Sequence, residues 1–407
     1  MRSFWLLGAI LVSVASVGVV QAAPMNLVFS FQNPLQGQMP TSVIGDEQGN
    51  FYGTTLQGGG SGKGVVFKIV PDGSEQILTD FPGKNSYQPN TPLVRDAAGN
   101  LYGTARCGTT GCSNEDIIFK IAPDGRFSIL HRFSMQDAAG YYTWSHLTLD
   151  AQGNLYGTTM SGLVNANDQA PCSTTGCGAV FKLAPNGSMT VLHRFEHATG
   201  FDKSGGFVLF GGGLLPGDNS EFYGTTDSGG PGGYGVVFKI SADGSFSVLH
   251  SFGDGSGEAQ NPSSNLVRDG NGNLFGTTAY GGDYRYGALF KVKANGAYTL
   301  VHSFGGDVKG LLDGQNPEGM LAISKTGDIV GTSPFGGNGN GVVFKVSPKG
   351  HEKILWTFAV TGHDARYGII PDGGVWIDAQ GNLYGTTLDS GGPKKHRGTG
   401  TVFSLRP

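Results

Sequence analysis

A seven-residue phrase recurs along the chain, and this recurrence constrains the fold more than any other feature. The phrase reads GNLYGTT at Gly153–Thr159 and again at Gly381–Thr387. Looser copies bring the total to seven, spaced about 50–67 residues apart. A period of this size indicates a repeat architecture. The aromatic position of the phrase, a valine in one copy, falls at Tyr52, Tyr102, Tyr156, Tyr223, Phe275, Val330 and Tyr384.

Each repeat contains four short runs of residues. Examples are LVRD at Leu93–Asp96, then LYGTT, then VVFKI at Val65–Ile69, and finally LHRF at Leu130–Phe133. The runs are rich in β-branched and aromatic residues and are separated by Gly, Asn, Asp and Pro, which is typical of strands joined by tight turns. No run shows the apolar period of a helix. The sequence therefore predicts an all-β fold, a seven-bladed β-propeller of four-stranded antiparallel blades.

The two ends of the chain match each other. The last repeat stops after its third run, TVFSLRP at Thr401–Pro407, whereas NLVFSF at Asn26–Phe31 resembles a fourth run with no blade before it. We expect an N-terminal strand at about residues 26–31 to complete the last blade, which closes the ring and removes an exposed sheet edge. A β-solenoid, the alternative repeat fold, has no need for such a match.

The first 22 residues have the features of a secretory signal peptide. Arg2 precedes an apolar run, Phe4–Val20, and VQA at Val20–Ala22 resembles a cleavage site. An uncleaved anchor is the alternative. We expect residues 23–407 to form a single propeller, secreted or periplasmic, monomeric, and without a membrane span after cleavage. The formal net charge of −4 provides no basic face for nucleic acid.

Four cysteines occur in two similar loops, CGTTGC at Cys107–Cys112 and CSTTGC at Cys172–Cys177. An exported chain meets an oxidising compartment, where disulfides form. Local pairing of Cys107 with Cys112 and of Cys172 with Cys177 is favoured among the three possible connectivities. The spacing suits a metal site less well. We expect no bound metal and no cofactor.

The repeat resembles the Gloeo-Verruco (GloVer) repeat of exported bacterial proteins. The resemblance rests on the consensus GNLYGTT…GG…G-VFK-PDG…L-F and covers nearly all of the chain after the predicted signal peptide. It implies an extracytoplasmic propeller-like protein and implies no reaction. Repeat six, with GDIVGTS, and the long insertions in repeats three and four depart from the pattern.

Residues that recur at the same place in several repeats are expected to build the frame. We expect the histidines of the fourth run to be packed or surface strand residues, and the aspartates before the GN turn to accept backbone N–H bonds. The histidines are His131, His193, His250 and His302. The aspartates are Asp46, Asp96, Asp150, Asp218, Asp269 and Asp378.

Function is expected in the loops that break the repeat, on the face that carries the connections between the second and third runs and between repeats. Two hypotheses remain open, so the sequence does not decide whether the protein is an enzyme. The first is a non-catalytic surface for a glycan or a protein ligand, on which loop aromatic rings stack against sugars or partner side chains. Its candidate ligand-binding residues are Trp144, Tyr284, Tyr286, His396 and Arg397.

The second hypothesis is a uronate-specific polysaccharide lyase. In such an enzyme a His or Tyr removes or returns a proton, and an Arg neutralises the substrate carboxylate. GxSxG, HExxH and P-loop motifs do not occur in the sequence. The candidate bases are His146, His197 and His363, the candidate acids are Tyr142 and Tyr367, and the candidate carboxylate ligands are Arg285 and Arg366.

Overall fold

The structure is a computed structural model that describes residues 24–406, except for 82–86, 90, 108–115, 135–136, 138, 141, 144–145, 161–177, 196–211, 254–256, 309–310, 361–362 and 391–398. The described strands form eight small antiparallel sheets, seven of which are the blades of a β-propeller. The predicted all-β fold is therefore confirmed. The predicted signal peptide, residues 1–22, lies outside the described residues.

Each blade has four strands, which follow one another in chain order except in blade seven, where the fourth strand comes from the N-terminal segment. The first strands are Gln38–Gly45, Val94–Arg95, Thr148–Leu149, Leu215–Pro216, Val267–Arg268, Ala322–Ile323 and Val375–Ile377. The second strands are Phe51–Gln57, Leu101–Cys107, Leu155–Thr158, Glu221–Thr226, Leu274–Gly281, Ile329–Ser333 and Leu383–Thr387. The third strands are Val65–Ile69, Ile117–Ile121, Ala179–Leu183, Val236–Ser241, Ala288–Val292, Val342–Val346 and Thr401–Leu405. The fourth strands are Glu75–Asp80, Phe127–Arg132, Met189–Arg194, Phe246–Ser251, Tyr298–Ser303, Glu352–Thr357 and, for blade seven, Met25–Ser30.

Further short elements lie in the connections. Tyr87–Pro89 and Ala259–Pro262 pair with the second strands of blades two and five, and two 3-10 helices, Pro34–Gln36 and His363–Tyr367, precede blades one and seven. Asp307–Val308, Leu311–Gln315 and Phe335–Gly337 form a three-stranded sheet beside blade six, which we call the side sheet. Across the residues that the structure describes, no helix combines the length and the hydropathy that crossing a bilayer requires.

The N-terminal strand closes the ring, as the sequence predicts. Met25 pairs with Leu405 and Ser30 pairs with Thr401, so Met25–Ser30 is the fourth strand of blade seven. The buried hydroxyl of Tyr367 donates to the Met25 carbonyl over 3.0 Å. Both ends of the propeller are therefore held by one sheet.

The glycine of the phrase makes room for a phenylalanine of its own blade. Gly276 lies opposite Phe290 on the third strand, and a Cβ at Gly276 would lie 2.5 Å from the Phe290 Cζ and 2.9 Å from Leu266. Six other blades repeat this arrangement with their own third-strand phenylalanine. The sequence suggests close approach of a neighbouring blade at this glycine; the structure instead shows that the ring fills the space within the blade.

The tyrosine of the phrase fastens its strand to the turn before it, within the same blade. In blade one the Tyr52 hydroxyl donates to the Asp46 carboxylate over 3.0 Å, and the same carboxylate accepts the backbone and side-chain N–H groups of Asn50. Partial burial favours a higher pKa for Asp46, but these hydrogen bonds outweigh it and lower that pKa. The same clamp recurs at Asp96, Asp150 and Asp378 with their tyrosines.

Asp218 departs from the predicted turn role. Its carboxylate accepts a 2.6 Å hydrogen bond from Arg268 of the next blade. The reason is local. Asp218 stands five residues before Tyr223, whereas Asp46 stands six residues before Tyr52, and SEFYGTT replaces GN by Ser-Glu in a turn that has Asn219 and Ser220 at φ 55° and 60°. An Asn side chain that could pair with the carboxylate is then missing from that position.

The threonines of the phrase also serve the frame. Thr277, fully buried, donates to the Pro317 carbonyl of the next blade over 2.6 Å. Thr278 donates to the carbonyl of Tyr280 and accepts the backbone N–H of Ala288, which holds the loop between the second and third strands. The recurring phrase therefore builds blades and links them to each other.

Candidate functional site

A cleft of about 760 Å³ lies between blades four and five, on the face that carries the long loops. Two loops that join second to third strands line it, together with the connection between the blades. Its lining residues are Tyr234, Gly257, Glu258, Gln260, Asn261, Tyr280, Gly281, Gly282, Asp283 and Arg285.

Backbone geometry that favours glycine shapes the floor of the cleft. Gly281 and Gly282 have φ of 81° and 74°, and a Cβ at Gly281 would overlap the Glu258 carbonyl. Asn261 also has a positive φ of 58°, which asparagine tolerates better than most residues. Its backbone N–H donates to the Tyr234 carbonyl and its side chain donates to the Asp227 carbonyl. The connection between the blades is therefore fixed to the loop of blade four.

Exposed tyrosines dominate the surface of the cleft and its surroundings. Tyr280, near the end of the second strand of blade five, is 54% exposed, and Tyr234, on the loop between the second and third strands of blade four, is 41% exposed. Tyr284 and Tyr286, on the loop that carries Arg285, are 54% and 45% exposed and stand over Gly305, where a Cβ would meet both side chains. Aromatic faces held open in this way are suited to stacking against a flat, partly apolar ligand.

The polar groups of the cleft have mixed charge. Glu258 accepts hydrogen bonds from the Gly253 backbone and from His250, whose Nε2 lies 3.1 Å away. Arg285 and Asp283 are exposed on the loop beside Tyr280. Arg285 has a φ of 65°, and its backbone N–H donates to the Gly282 carbonyl. The conformation of the loop therefore sets where the Arg285 side chain leaves the backbone. The cleft thus offers one cation, two carboxylates and two amide side chains.

Glu318 and Asp372 form a second group of ionisable residues. They lie on the segments that precede the first strands of blades six and seven, where such segments meet near the centre of the ring. There Val375 donates to the Met320 carbonyl and the Asn265 amide bonds both backbone groups of Leu321. Burial, and then the charge of Asp372, raise the pKa of Glu318. Burial also raises the pKa of Asp372.

His146 lies on the corresponding segment of blade three. Its Cβ packs against Gly213 of blade four, where any side chain would overlap it. Burial lowers the pKa of this imidazole to about 4, so it is neutral at pH 7. A neutral His146 can accept a proton, but its low pKa makes it a weak base.

The other sequence candidates lie apart from the cleft or outside the described residues. Tyr142 packs under Arg106, whose guanidinium carbon is 4.9 Å from the ring centre. The Tyr367 hydroxyl accepts a 2.5 Å hydrogen bond from Arg366 while it holds Met25. The catalytic roles of these residues stay predictions. Trp144, His197, His396 and Arg397, and the side chain of His363, lie outside the described residues.

The structure brings Arg285 and its loop to the cleft and adds residues that the sequence candidates did not include. Tyr234, Glu258 and Tyr280 are the additions. A signal existed for Tyr280, which opens the cluster YGGDYRYG. Tyr234 and Glu258 come from a different blade and a different connection, and only the fold places them beside that cluster.

Among the cysteines, Cys107 falls within the described residues. It ends the second strand of blade two, is 7% exposed and is not a free thiol. The other three cysteines lie outside the described residues, so the predicted pairing remains a prediction.

Solved structures with this fold cover nearly the whole chain at low sequence identity. Virginiamycin B lyase from Staphylococcus aureus matches with a TM-score of 0.57 and 11% identity over 94% of this chain and 99% of its own. A streptogramin B lyase matches with a TM-score of 0.58 and 12% identity over 95% and 98%. Puromycin hydrolase matches with a TM-score of 0.56 and 15% identity over 93% of this chain and 54% of its own. At these identities the likeness establishes the fold alone.

Sequence comparison is informative at the level of the repeat. No curated protein matches the chain. The Gloeobacter/Verrucomicrobia repeat matches it twice, over residues 19–218 and 210–407, and so covers almost its full length. The chain therefore belongs to the Gloeobacter/Verrucomicrobia repeat family.

Proposed function

We propose that the protein is an exported β-propeller that binds a glycan, without catalysis, in the cleft between blades four and five. The exposed tyrosine pair Tyr234 and Tyr280 carries this proposal, because a cleft with exposed aromatic rings favours stacking of sugar rings. Export rests on the signal-peptide features of residues 1–22.

The polar lining supports a glycan over an apolar ligand. Gln260 and Asn261 supply amide groups, and Asp283 supplies a carboxylate, all of which pair well with sugar hydroxyls. Arg285 adds a cation, which favours a sugar that carries a carboxylate. We therefore expect an acidic polysaccharide, one that contains uronic acid, to bind more tightly than a neutral one.

The uronate lyase remains the second candidate because the same Arg285 lies in the cleft. A lyase needs this cation to neutralise the carboxylate next to the proton that is removed. In the cleft the described acid–base groups besides Arg285 are Glu258 and Asp283 together with the tyrosines. The two candidates share a ligand class and differ in whether the polymer is cleaved.

The test combines glycan retention with an absorbance assay. We expect wild-type protein to be retained by immobilised uronic-acid polysaccharide, and Tyr280→Ala to weaken binding about tenfold through loss of one stacking face. Phe335→Ala is the matched control, since Phe335 is 50% exposed on the corresponding strand of the side sheet and lies outside the cleft.

Three results would decide between the candidates. Equal binding by wild type and Tyr280→Ala, or no retention on any glycan, contradicts the proposed cleft. A rise in absorbance from unsaturated chain ends that Arg285→Ala abolishes establishes the lyase instead. Retention with a flat absorbance trace supports the binding protein.

A further inference from the structure

Three potential metal ligands meet at the seam between blades five and six. His302 belongs to the fourth strand of blade five, Asp313 to the side sheet, and Glu352 begins the fourth strand of blade six. One ligand atom from each lies within 4.8 Å of the other two. The side chains are 16%, 1% and 2% exposed, respectively. This cluster lies apart from the cleft and is independent of the proposed glycan site.

The corresponding boundaries after blades three and four show which residues surround the fourth-strand histidine there. In blade four His250 bonds Glu258 at 3.1 Å, and the ring of Tyr298 covers it with centroids 4.3 Å apart. In blade three Phe246 covers His193 in the same way, at 3.8 Å. In both cases the covering residue begins the fourth strand of the next blade.

Glu352 occupies the position of those aromatic rings. It pairs with Val346 at the end of its third strand, as Tyr298 pairs with Val292 in blade five. The His–acid pair of the frame is therefore kept at His302 and Asp313, whereas the apolar cover is replaced by a second carboxylate. A structural role within the blade accounts for the pair of His302 and Asp313. It does not account for the second carboxylate, that of Glu352.

The carboxylate of Glu352 has no hydrogen-bond partner within the described structure. Both of its oxygens are shielded from solvent and accept no hydrogen bond: His302 Nε2 lies 3.6 Å from Oε2, and the neighbouring Asp313 carboxyl can share a hydrogen bond only if one of the two carboxyls keeps a proton. The Asp313 carboxylate, in contrast, accepts hydrogen bonds from the Gly305 backbone N–H and from His302. Burial of an ionised carboxylate without a partner is strongly unfavourable, and buried charges in proteins are paired or bind metals.

The distances between the ligand atoms suit a single small cation. His302 Nε2 lies 3.1 Å from Asp313 Oδ2 and 3.6 Å from Glu352 Oε2. Tetrahedral coordination with bonds of 2.0–2.2 Å separates neighbouring ligand atoms by about 3.4 Å. Two carboxylates and a neutral imidazole carry the charge that a divalent cation balances.

We propose that His302, Asp313 and Glu352 bind a divalent transition-metal cation of the Zn²⁺ type, which fastens blade five to blade six. One nitrogen and two oxygen ligands suit Zn²⁺, whereas Ca²⁺ needs six to eight oxygen ligands. A water completes the coordination, and the partial exposure of His302 provides the entry path. The role is structural, because the ligands stand on fourth strands and a side sheet. This proposal departs from the absence of metal that we expect from the sequence.

A metal-free explanation competes with this one. Burial, and then the adjacent Asp313, raise the pKa of Glu352 to about 9, so a protonated Glu352 could occupy the seam without an ion. The two explanations differ in what Zn²⁺ does to the protein, and metal binding can be measured directly.

The experiment uses the full chain, treated with EDTA and then titrated with Zn²⁺ in a calorimeter. We expect one equivalent to bind, and saturation at about 100 times the dissociation constant to raise Tm by roughly 3 °C. Glu352→Tyr restores the ring found at Tyr298, so it keeps the blade intact. It should remove that equivalent and the Zn²⁺ response of Tm. Glu352→Gln provides a second variant of nearly unchanged shape.

Glu75→Gln is the matched control. Glu75 also begins a fourth strand and has a buried, unpartnered oxygen, but it belongs to no metal-ligand cluster of the described residues. This variant should bind Zn²⁺ like wild type. The proposal is overturned if wild type binds no Zn²⁺, or if Glu352→Tyr and Glu352→Gln both bind it as tightly as wild type. Stabilisation by Glu352→Gln at neutral pH, with no Zn²⁺ response in wild type, would identify a shared proton instead.

Discussion

At the scale of single residues, Glu75 is a side chain that departs from the pattern of the repeat. Glu75 begins the fourth strand of blade one, where Phe127, Phe246 and Tyr298 begin the fourth strands of blades two, four and five. Its Oε1 is buried without a partner. Burial, opposed by a hydrogen bond with Gln36, raises the pKa of Glu75 to about 7. This carboxyl therefore prefers to be neutral in the folded protein.

The Glu75 carboxyl should make stability depend on pH in a defined direction. A folded-state pKa raised from 4.5 to about 7 gives stability that is complete below pH 4.5 and is lost as the pH rises through 7. Glu75→Gln cannot ionise, so we expect it to stabilise the protein at pH 8, by about 1 kcal/mol after solvent screening, and to change little at pH 4.5. Denaturant midpoints between pH 4 and 9 measure this difference. A benefit of Glu75→Gln that is equal at both ends of the range contradicts it.

At the scale of the strand, glycine and phenylalanine act as one unit across each blade. We expect Gly276→Ala to destabilise the protein by about 1–3 kcal/mol, because the new methyl group meets Phe290 and Leu266 in a packed core. Thermal or denaturant unfolding measures the loss. Gly270→Ala is the control, since nothing lies within 4 Å of a Cβ at that exposed turn. Equal stability of the two variants would show that the blade core yields to the methyl group.

The strands themselves could be predicted from the sequence, and their packing could not. Short β-branched runs and turn residues are local signals, so the blade count and the closing strand at Met25–Ser30 follow from them. The role of the glycine in the phrase follows only from the register between the second and third strands, because that register places Phe290 opposite Gly276. The clamp at Asp46 was half predicted: the backbone bonds were expected, and the Tyr52 hydroxyl was not.

The candidate sites were harder to predict because they arise between blades. The cluster YGGDYRYG identifies one wall of the cleft, but Tyr234 is more than forty residues away in the chain and carries no motif. Glu352 likewise stands in the first place of an ordinary strand. Its difference from Tyr298 becomes meaningful only when His302 and Asp313 are seen beside it.

At the scale of the whole molecule, the closing strand determines whether the propeller unfolds as one unit. Deletion of Met25–Ser30 would leave Thr401–Leu405 as an open edge and uncover Val402 and Phe403, both fully buried. We expect the truncated chain to lose the single cooperative transition and to melt well below wild type. Calorimetry measures both effects. Leu27→Thr, on a residue already 38% exposed, is the control that should change little. An unchanged melting curve for the truncated chain would contradict a closure role.

The closing strand also has a consequence for the order of events during synthesis. Met25 is made 342 residues before Tyr367, whose hydroxyl donates to its carbonyl. It is also made before Thr401–Leu405, the strand with which it pairs. Blades one to six can fold as they emerge, since each is made of neighbouring segments. The ring itself can be sealed only after Thr401–Leu405 has been made, so a chain interrupted before that strand carries an unsealed seam that quality-control proteases can attack.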